Sequence, residues 1–154
     1  MTSNPQAAAQ YLRTKVLTAT PEQLQMMLYD GVLRFGEQAK IALREKNYEE
    51  SYTLITKAQK IIAELTSSLK RDILPDMADK LAALYTYAYR LMIDANIHHR
   101  EEALDDALKI LRYQRETWVL LMEQLGKQKA AAAAVKLDIP GPDSRMEASI
   151  SMRG

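Results

Sequence analysis

Apolar side chains recur along most of this chain at spacings of three and four, the period of a helix with one buried face. The clearest stripe is Leu24, Met27, Leu28, Val32, Phe35, Ala39 and Ala42, which predicts a helix from about Pro21 to Arg44. Its start is sharply marked. Thr20 is a good N-cap, because its hydroxyl can accept from a free backbone N–H of the first turn. Pro21 suits the first helical position, Glu22 complements the positive helix end, and Gln23 can complete a capping box with Thr20. Gly31 and Gly36 lie inside the stripe, and each costs about 1 kcal/mol relative to alanine. They can admit a neighbouring helix, or Gly31 can clear room for a bound peptide.

Three further stripes follow after short turns. Glu45, Lys46 and Asn47 form the first turn, with Asn47 as cap and Glu50 at the capping-box position. Tyr48, Tyr52, Ile55, Ala58, Ile62, Leu65 and Leu69 then carry a helix that fades near Lys70. Pro75 opens the next, where Met77, Leu81, Leu84, Ala88, Leu91 and Ala95 alternate by four and three, the pattern of a bundle seam. It ends near Asn96 or Ile97, and His98, His99 and Arg100 form a turn. The last stripe is Leu104, Leu108, Leu111, Trp118, Met122 and Leu125, widened by Ala107, Ile110 and Leu121. Gly126 can end this helix, or the Ala130 to Ala134 run can prolong it.

The two ends read differently. Ala7 to Leu17 can form a short helix with Ala9, Leu12 and Val16 on one side. Such a helix is marginal alone in water and needs a surface to lie on. Pro140, Gly141 and Pro142 break any helix near the C-terminus, and Val135 to Gly154 reads as a disordered tail. The expected fold is all-α, an antiparallel up-down four-helix bundle with a short extra N-terminal helix. Residues 1–19 form the arm, 20–129 the bundle, and 130–154 an alanine-rich extension and tail.

Composition narrows the function. A chain of 154 residues reads as one domain with a core of its own. Its lack of cysteine excludes disulfides and thiolate chemistry and fits a reducing compartment. With 21 basic against 20 acidic residues there is no basic excess of the kind nucleic-acid binders show. Met1 to Gln10 lacks the basic and apolar regions of a signal peptide. The longest small-apolar run, Ala130 to Val135, is too short to span a bilayer. A cytoplasmic protein without membrane insertion is expected.

The sites that helical bundles can house have recognisable residue signatures. A di-iron site needs inward Glu-x-x-His pairs, but Ala95 and Asn96 stand three residues before His98 and His99. Adjacent histidines on a helix diverge by about 100° and cannot share a metal. Glu101, Glu102, Asp105 and Asp106 suit the start of a helix as dipole partners. No glycine-rich phosphate loop is present, and Ser67-Ser68 has no basic partner in any recognisable pattern. An enzyme, a cofactor and a metal site are all unsupported. What remains is apolar surplus. Tyr85 and Tyr89 share a face while Tyr87 points nearly opposite. Met26, Leu33, Ile41, Ile61, Ile73, Ile93 and Ile97 lie off or at the edge of the main stripes. They are either ordinary exposed apolar residues or the walls of grooves for partner helices.

Several of these residues, taken in order, carry a resemblance. Tyr11 and Val16, then Thr18-Ala19-Thr20-Pro21-Glu22-Gln23-Leu24, then Met27-Leu28-Tyr29-Asp30-Gly31 resemble the N-terminal signature of the FliS family of flagellin-specific export chaperones. Ala58-Gln59-Lys60-Ile61-Ile62 with Leu65 and Leu69, Leu84-Tyr85-Thr86-Tyr87 with Leu91, Ala95 and Asn96, and Leu111, Arg115, Glu116 and Trp118 continue it. The similarity covers about Tyr11 to Leu125; the chain beyond Lys127 is longer than the family pattern. The resemblance implies a cytoplasmic chaperone without enzymatic activity. Its client is the C-terminal segment of flagellin, disordered in the monomer, which it keeps from polymerising early and presents to a component of the export gate.

For the client surface, the family positions Tyr11, Val16, Leu28, Tyr29, Tyr87 and Asn96 are candidates, together with Leu33 and Ile93. Leu28 can equally be core, and Asn96 can bond client backbone or cap its own helix. The apolar face of the arm, Tyr11, Leu12, Val16 and Leu17, suggests a helix that rests on the client groove when the chaperone is empty, or one that simply completes the core. The competing reading is a structural or signalling bundle that homodimerises through the same face and takes no client.

Overall fold

The computed structural model describes residues 4–70, 72 and 75–138. Ile73 and the tail beyond Asp138 lie outside the described residues. Five helices and no strand are present among them: α1 (Pro5–Thr18), α2 (Pro21–Arg44), α3 (Tyr48–Ser67), α4 (Pro75–His98) and α5 (Glu101–Asp138). The architecture is the all-α one the periodicity predicts.

Helix ends follow local chemistry closely. The Gln23 N–H donates to Thr20 Oγ1 at 3.1 Å and the Thr20 N–H donates to Gln23 Oε1 at 2.9 Å, a complete capping box. Asn4 caps α1 and Asn47 caps α3 through their side-chain oxygens. At the C-termini the chain turns left-handed at non-glycine residues. Lys46 has φ 56°, its N–H reaches Leu43 O at 3.1 Å, and the Asn47 N–H reaches Ala42 O at 2.8 Å. That is a Schellman motif. His99 has φ 53°, and the Arg100 N–H reaches Ala95 O at 3.2 Å. The α4 terminus is therefore turned at His99, not capped by Asn96.

These two turns make a paired prediction. A side chain in this conformation costs about 1–2 kcal/mol that glycine avoids, partly offset by the greater entropy glycine loses on folding. Lys46→Gly is expected to raise stability by about 0.5–1 kcal/mol. His99→Gly should gain less, because the His99 ring stacks on Tyr48 with centroids 3.7 Å apart and planes within 5°. Urea unfolding midpoints of the two variants check the order.

Two compact units divide the chain after Trp118. In the first, α3 packs against both α2 and α4, and Ile55, Ile62, Leu65, Tyr85, Met92, Leu104 and Leu111 are among its fully buried side chains. The expected opening of α3 by buried tyrosines is corrected: Tyr48 and Tyr52 in its first turns are exposed. The α4 seam is also displaced. Ala78, Tyr85, Ala88, Met92 and Ala95 are buried, while Met77 and Leu84 are exposed. Three alanines let α4 approach its neighbours closely, and Tyr85 fills the space between.

Helices α2 and α5 are joined by a ladder of ion pairs. Arg115 Nε lies 2.7 Å from Asp30, Arg112 pairs with Glu37, Lys40 Nζ is 2.6 Å from Asp105, and Arg44 Nη2 is 2.5 Å from Glu101. Trp118 Nε1 closes the ladder by donating to Glu22 O at 3.3 Å. The signs reverse halfway: α2 supplies acids at positions 30 and 37 and bases at 40 and 44. A parallel α2/α5 pairing would set acid against acid and base against base. Exposed pairs each contribute about 0–1 kcal/mol, so the ladder acts chiefly against the wrong direction and register. The Asp105 hydrogen bond raises the Lys40 pKa, and the same bond lowers that of Asp105.

The second unit begins at Val119. Here α5 continues through Gly126 and the alanine run to Asp138, so Val135 to Asp138, read from sequence as the start of the tail, are helical. Leu120, Leu121 and Val135 on this segment are exposed.

Candidate functional site

Between α3 and α4 the bundle opens into a groove of about 840 Å³. Ile62, Ala63, Leu69, Tyr85 and Ile93 supply its apolar surface. The helical period explains their convergence. Ile62 and Leu69 lie seven apart on α3, and Tyr85, Tyr89 and Ile93 lie four apart on α4. Its hydroxyls are largely satisfied from within. Thr66 donates to Ile62 O at 2.8 Å, Ser67 to Glu64 O at 3.0 Å, and Thr86 to Ala82 O at 2.8 Å. A partner lying here strands none of these hydroxyl hydrogens. Charge appears at two places, Asp72 in the α3–α4 turn and Arg90 on α4.

Tyr85 anchors the groove to the core. Its ring lines the groove while its hydroxyl is buried 2.5 Å from that of Tyr29. Gln25 Nε2 donates to the Tyr29 oxygen at 3.5 Å. Burial, reinforced by the Tyr29 bond, pushes the Tyr85 pKa far above the usual tyrosine value. The phenol is therefore a neutral, fixed part of the wall.

The residues expected at a client surface do not converge on one place. Ile93 lines the groove. Tyr29 is core, only 3% exposed, because its hydroxyl finds a buried partner in Tyr85. Leu28 and Leu33 are partly buried against the core. Asn96 is half-buried on α4. Tyr87 is exposed but points about 120° away from Ile93 around α4. Tyr11 and Val16 are exposed on α1, which has no buried residue. No α1 residue lines the α3/α4 groove, so the arm does not rest on it in this structure. Sequence reasoning missed Ile62, Leu69 and Tyr85 as groove residues by assigning them to the core stripes or to unplaced surplus. The shared face of Tyr85 and Tyr89 was the available signal. The glycines resolve toward helix approach. A Cβ at Gly31 would meet Ile61 Cδ1 at 3.2 Å, and one at Gly36 would overlap Leu108.

An all-helical bundle with an open apolar groove, most of its hydroxyls already hydrogen-bonded within the chain, has the form of a protein that binds a partner helix. No helix among the described residues is long and apolar enough to cross a membrane. Comparison with known proteins is specific. The family model described as "Flagellar protein FliS" matches residues 3–125. The flagellar secretion chaperone FliS of Bacillus subtilis is 31% identical over 86% of this chain and 96% of its own length. That of Escherichia coli is 30% identical over 73% and 85%. A solved structure described as "Crystal structure of flagellar chaperone from bacteria" aligns at TM-score 0.64 and 19% identity, over 77% of this chain and 97% of that one. The chain belongs to the FliS family of flagellar secretion chaperones, a family of chaperones and not of enzymes.

Proposed function

We propose that this chain acts in the cytoplasm on flagellin, binding its disordered C-terminal segment, delaying polymerisation and delivering the subunit to the flagellar type III export apparatus. The observation that carries the reading is an open apolar groove on a member of this family. A disordered client spends about 2–5 kcal/mol or more of its gross interaction on ordering. It can therefore cover much surface and still be released. Handover to an export-gate component then needs only a competing receptor or tension on the client, with no chemical step in the chaperone.

Calorimetric titration with flagellin from the same cell tests this. Full-length flagellin is expected to bind near one-to-one with a large negative heat-capacity change, and flagellin lacking its C-terminal segment should not bind. Ile93→Asp is expected to weaken binding roughly tenfold or more, about 1.4 kcal/mol. Ile93 is 37% exposed, so the fold should tolerate the change. Binding that survives deletion of the segment, or no binding at all, overturns the proposal.

A further inference from the structure

We infer that the α3/α4 groove takes its client helix in one direction, with the helix N-terminus toward the α3–α4 turn and its C-terminus toward Arg90. The inference rests on the flagellin reading above and assigns a polarity to that same site.

The polarity comes from how the groove's polar groups are already used. The Thr66, Ser67 and Thr86 hydroxyls have their hydrogens committed to carbonyls of their own helices. Toward a ligand they offer lone pairs only. Thr66 and Ser67 lie in the last turn of α3, and Asp72 in the turn beyond adds a carboxylate. The turn end of the groove is thus rich in acceptors. A helix arriving there needs acceptors at its N-terminus, where the first N–H groups have no internal partner, and its dipole is positive at that end.

The far end has the opposite character. Arg90 lies about four turns up α4 from Pro75 and lines the groove with Ile93 beyond it. No acid among the described residues forms an ion pair with Arg90. The acid one turn further along, Asp94, is held by Arg100 at 3.2 Å and lies 3.8 Å from His98. A guanidinium offers donors only, which suits the unpaired carbonyls and negative end of a helix C-terminus, or an acidic side chain near it. A client helix in this direction runs parallel to α4 and antiparallel to α3.

The native chain has no cysteine, so a single introduced cysteine gives one spin-label position. Lys70→Cys marks the turn end and Ile97→Cys the other; both native residues are exposed. The probe is the isotope-labelled C-terminal segment of flagellin from the same cell, observed by NMR in complex with each labelled chain. The label at position 70 is expected to broaden the N-terminal turn of the client helix bound in this groove, and the label at position 97 its C-terminal turn. The reverse order, or equal broadening from both labels, overturns the inference. Arg90→Glu is expected to weaken binding about fivefold while Arg90→Lys retains most of it, and equal binding by all three chains also overturns it. A wild-type chain that fails to bind the segment overturns the flagellin reading itself, and the direction with it.

Discussion

Gly36→Val is expected to destabilise the bundle by about 3 kcal/mol, and Gly36→Ala by about 1–2 kcal/mol, although alanine is the better helix former. The propensity gain is about 1 kcal/mol. Against it stands Leu108, which is fully buried. A Cβ at position 36 would overlap Leu108 Cδ2 and come within 3.1 Å of Cγ and 3.2 Å of Cδ1. The whole isobutyl group is in the way, and overpacking of this kind costs about 1–3 kcal/mol. Gly31 offers the contrast. Its nearest neighbour is the terminal methyl of the partly buried Ile61, which can give by a few tenths of an ångström. Gly31→Ala should therefore be neutral or stabilising by up to about 1 kcal/mol. Leu108→Ala alone should cost about 2–5 kcal/mol. In that background Gly36→Ala fills part of the cavity and should become favourable. A double-mutant cycle from urea midpoints should give a coupling of at least about 1 kcal/mol. Simple additivity would show that α2 and α5 do not meet at this point.

The contrast between the two glycines shows what a one-dimensional pattern carries. That both interrupt the α2 stripe is visible in the sequence, but which partner atom each faces is not. The same holds for the helices. Their ends were legible because Thr20, Asn47 and Pro75 act on neighbours within a turn. The left-handed turns at Lys46 and His99 carried no such signal, since glycine is the residue that announces them. The buried face of α4 was ambiguous for another reason. Alanine, leucine and tyrosine occupy so much of its circumference that Met77-Leu84-Leu91 and Ala78-Tyr85-Met92 are both plausible stripes. The choice falls to tertiary contacts, above all the Tyr85 hydroxyl with a partner 56 residues away. The candidate site is the least legible part. Tyr29 enters as a client candidate only through the family pattern, and nothing local in the sequence reveals its buried hydroxyl partner; Ile93 stands out in the sequence only by being off stripe.

Removing the two tyrosine hydroxyls should have unequal effects. Tyr29→Phe leaves the fully buried Tyr85 hydroxyl without its partner, at a cost of about 1–3 kcal/mol. Tyr85→Phe costs about 1 kcal/mol, because the Tyr29 oxygen keeps Gln25. The double phenylalanine variant should be more stable than Tyr29→Phe alone, since no polar group is stranded. The pair also sets an alkaline limit. Burial raises the Tyr85 pKa above its unfolded value near 10, so the folded state holds this proton when the unfolded chain releases it. The contribution is complete below about pH 10 and is lost as pH rises beyond it. The slope approaches about 1.4 kcal/mol per pH unit for one such group. In Tyr85→Phe the decline between pH 10 and 12 should be shallower by that amount, measured by denaturant unfolding at each pH. An unchanged slope would mean that Tyr85 ionises as readily in the fold as outside it. Because phenylalanine keeps the ring that lines the groove, flagellin affinity at neutral pH should change little. Stability and client binding thus share one side chain but depend on different parts of it.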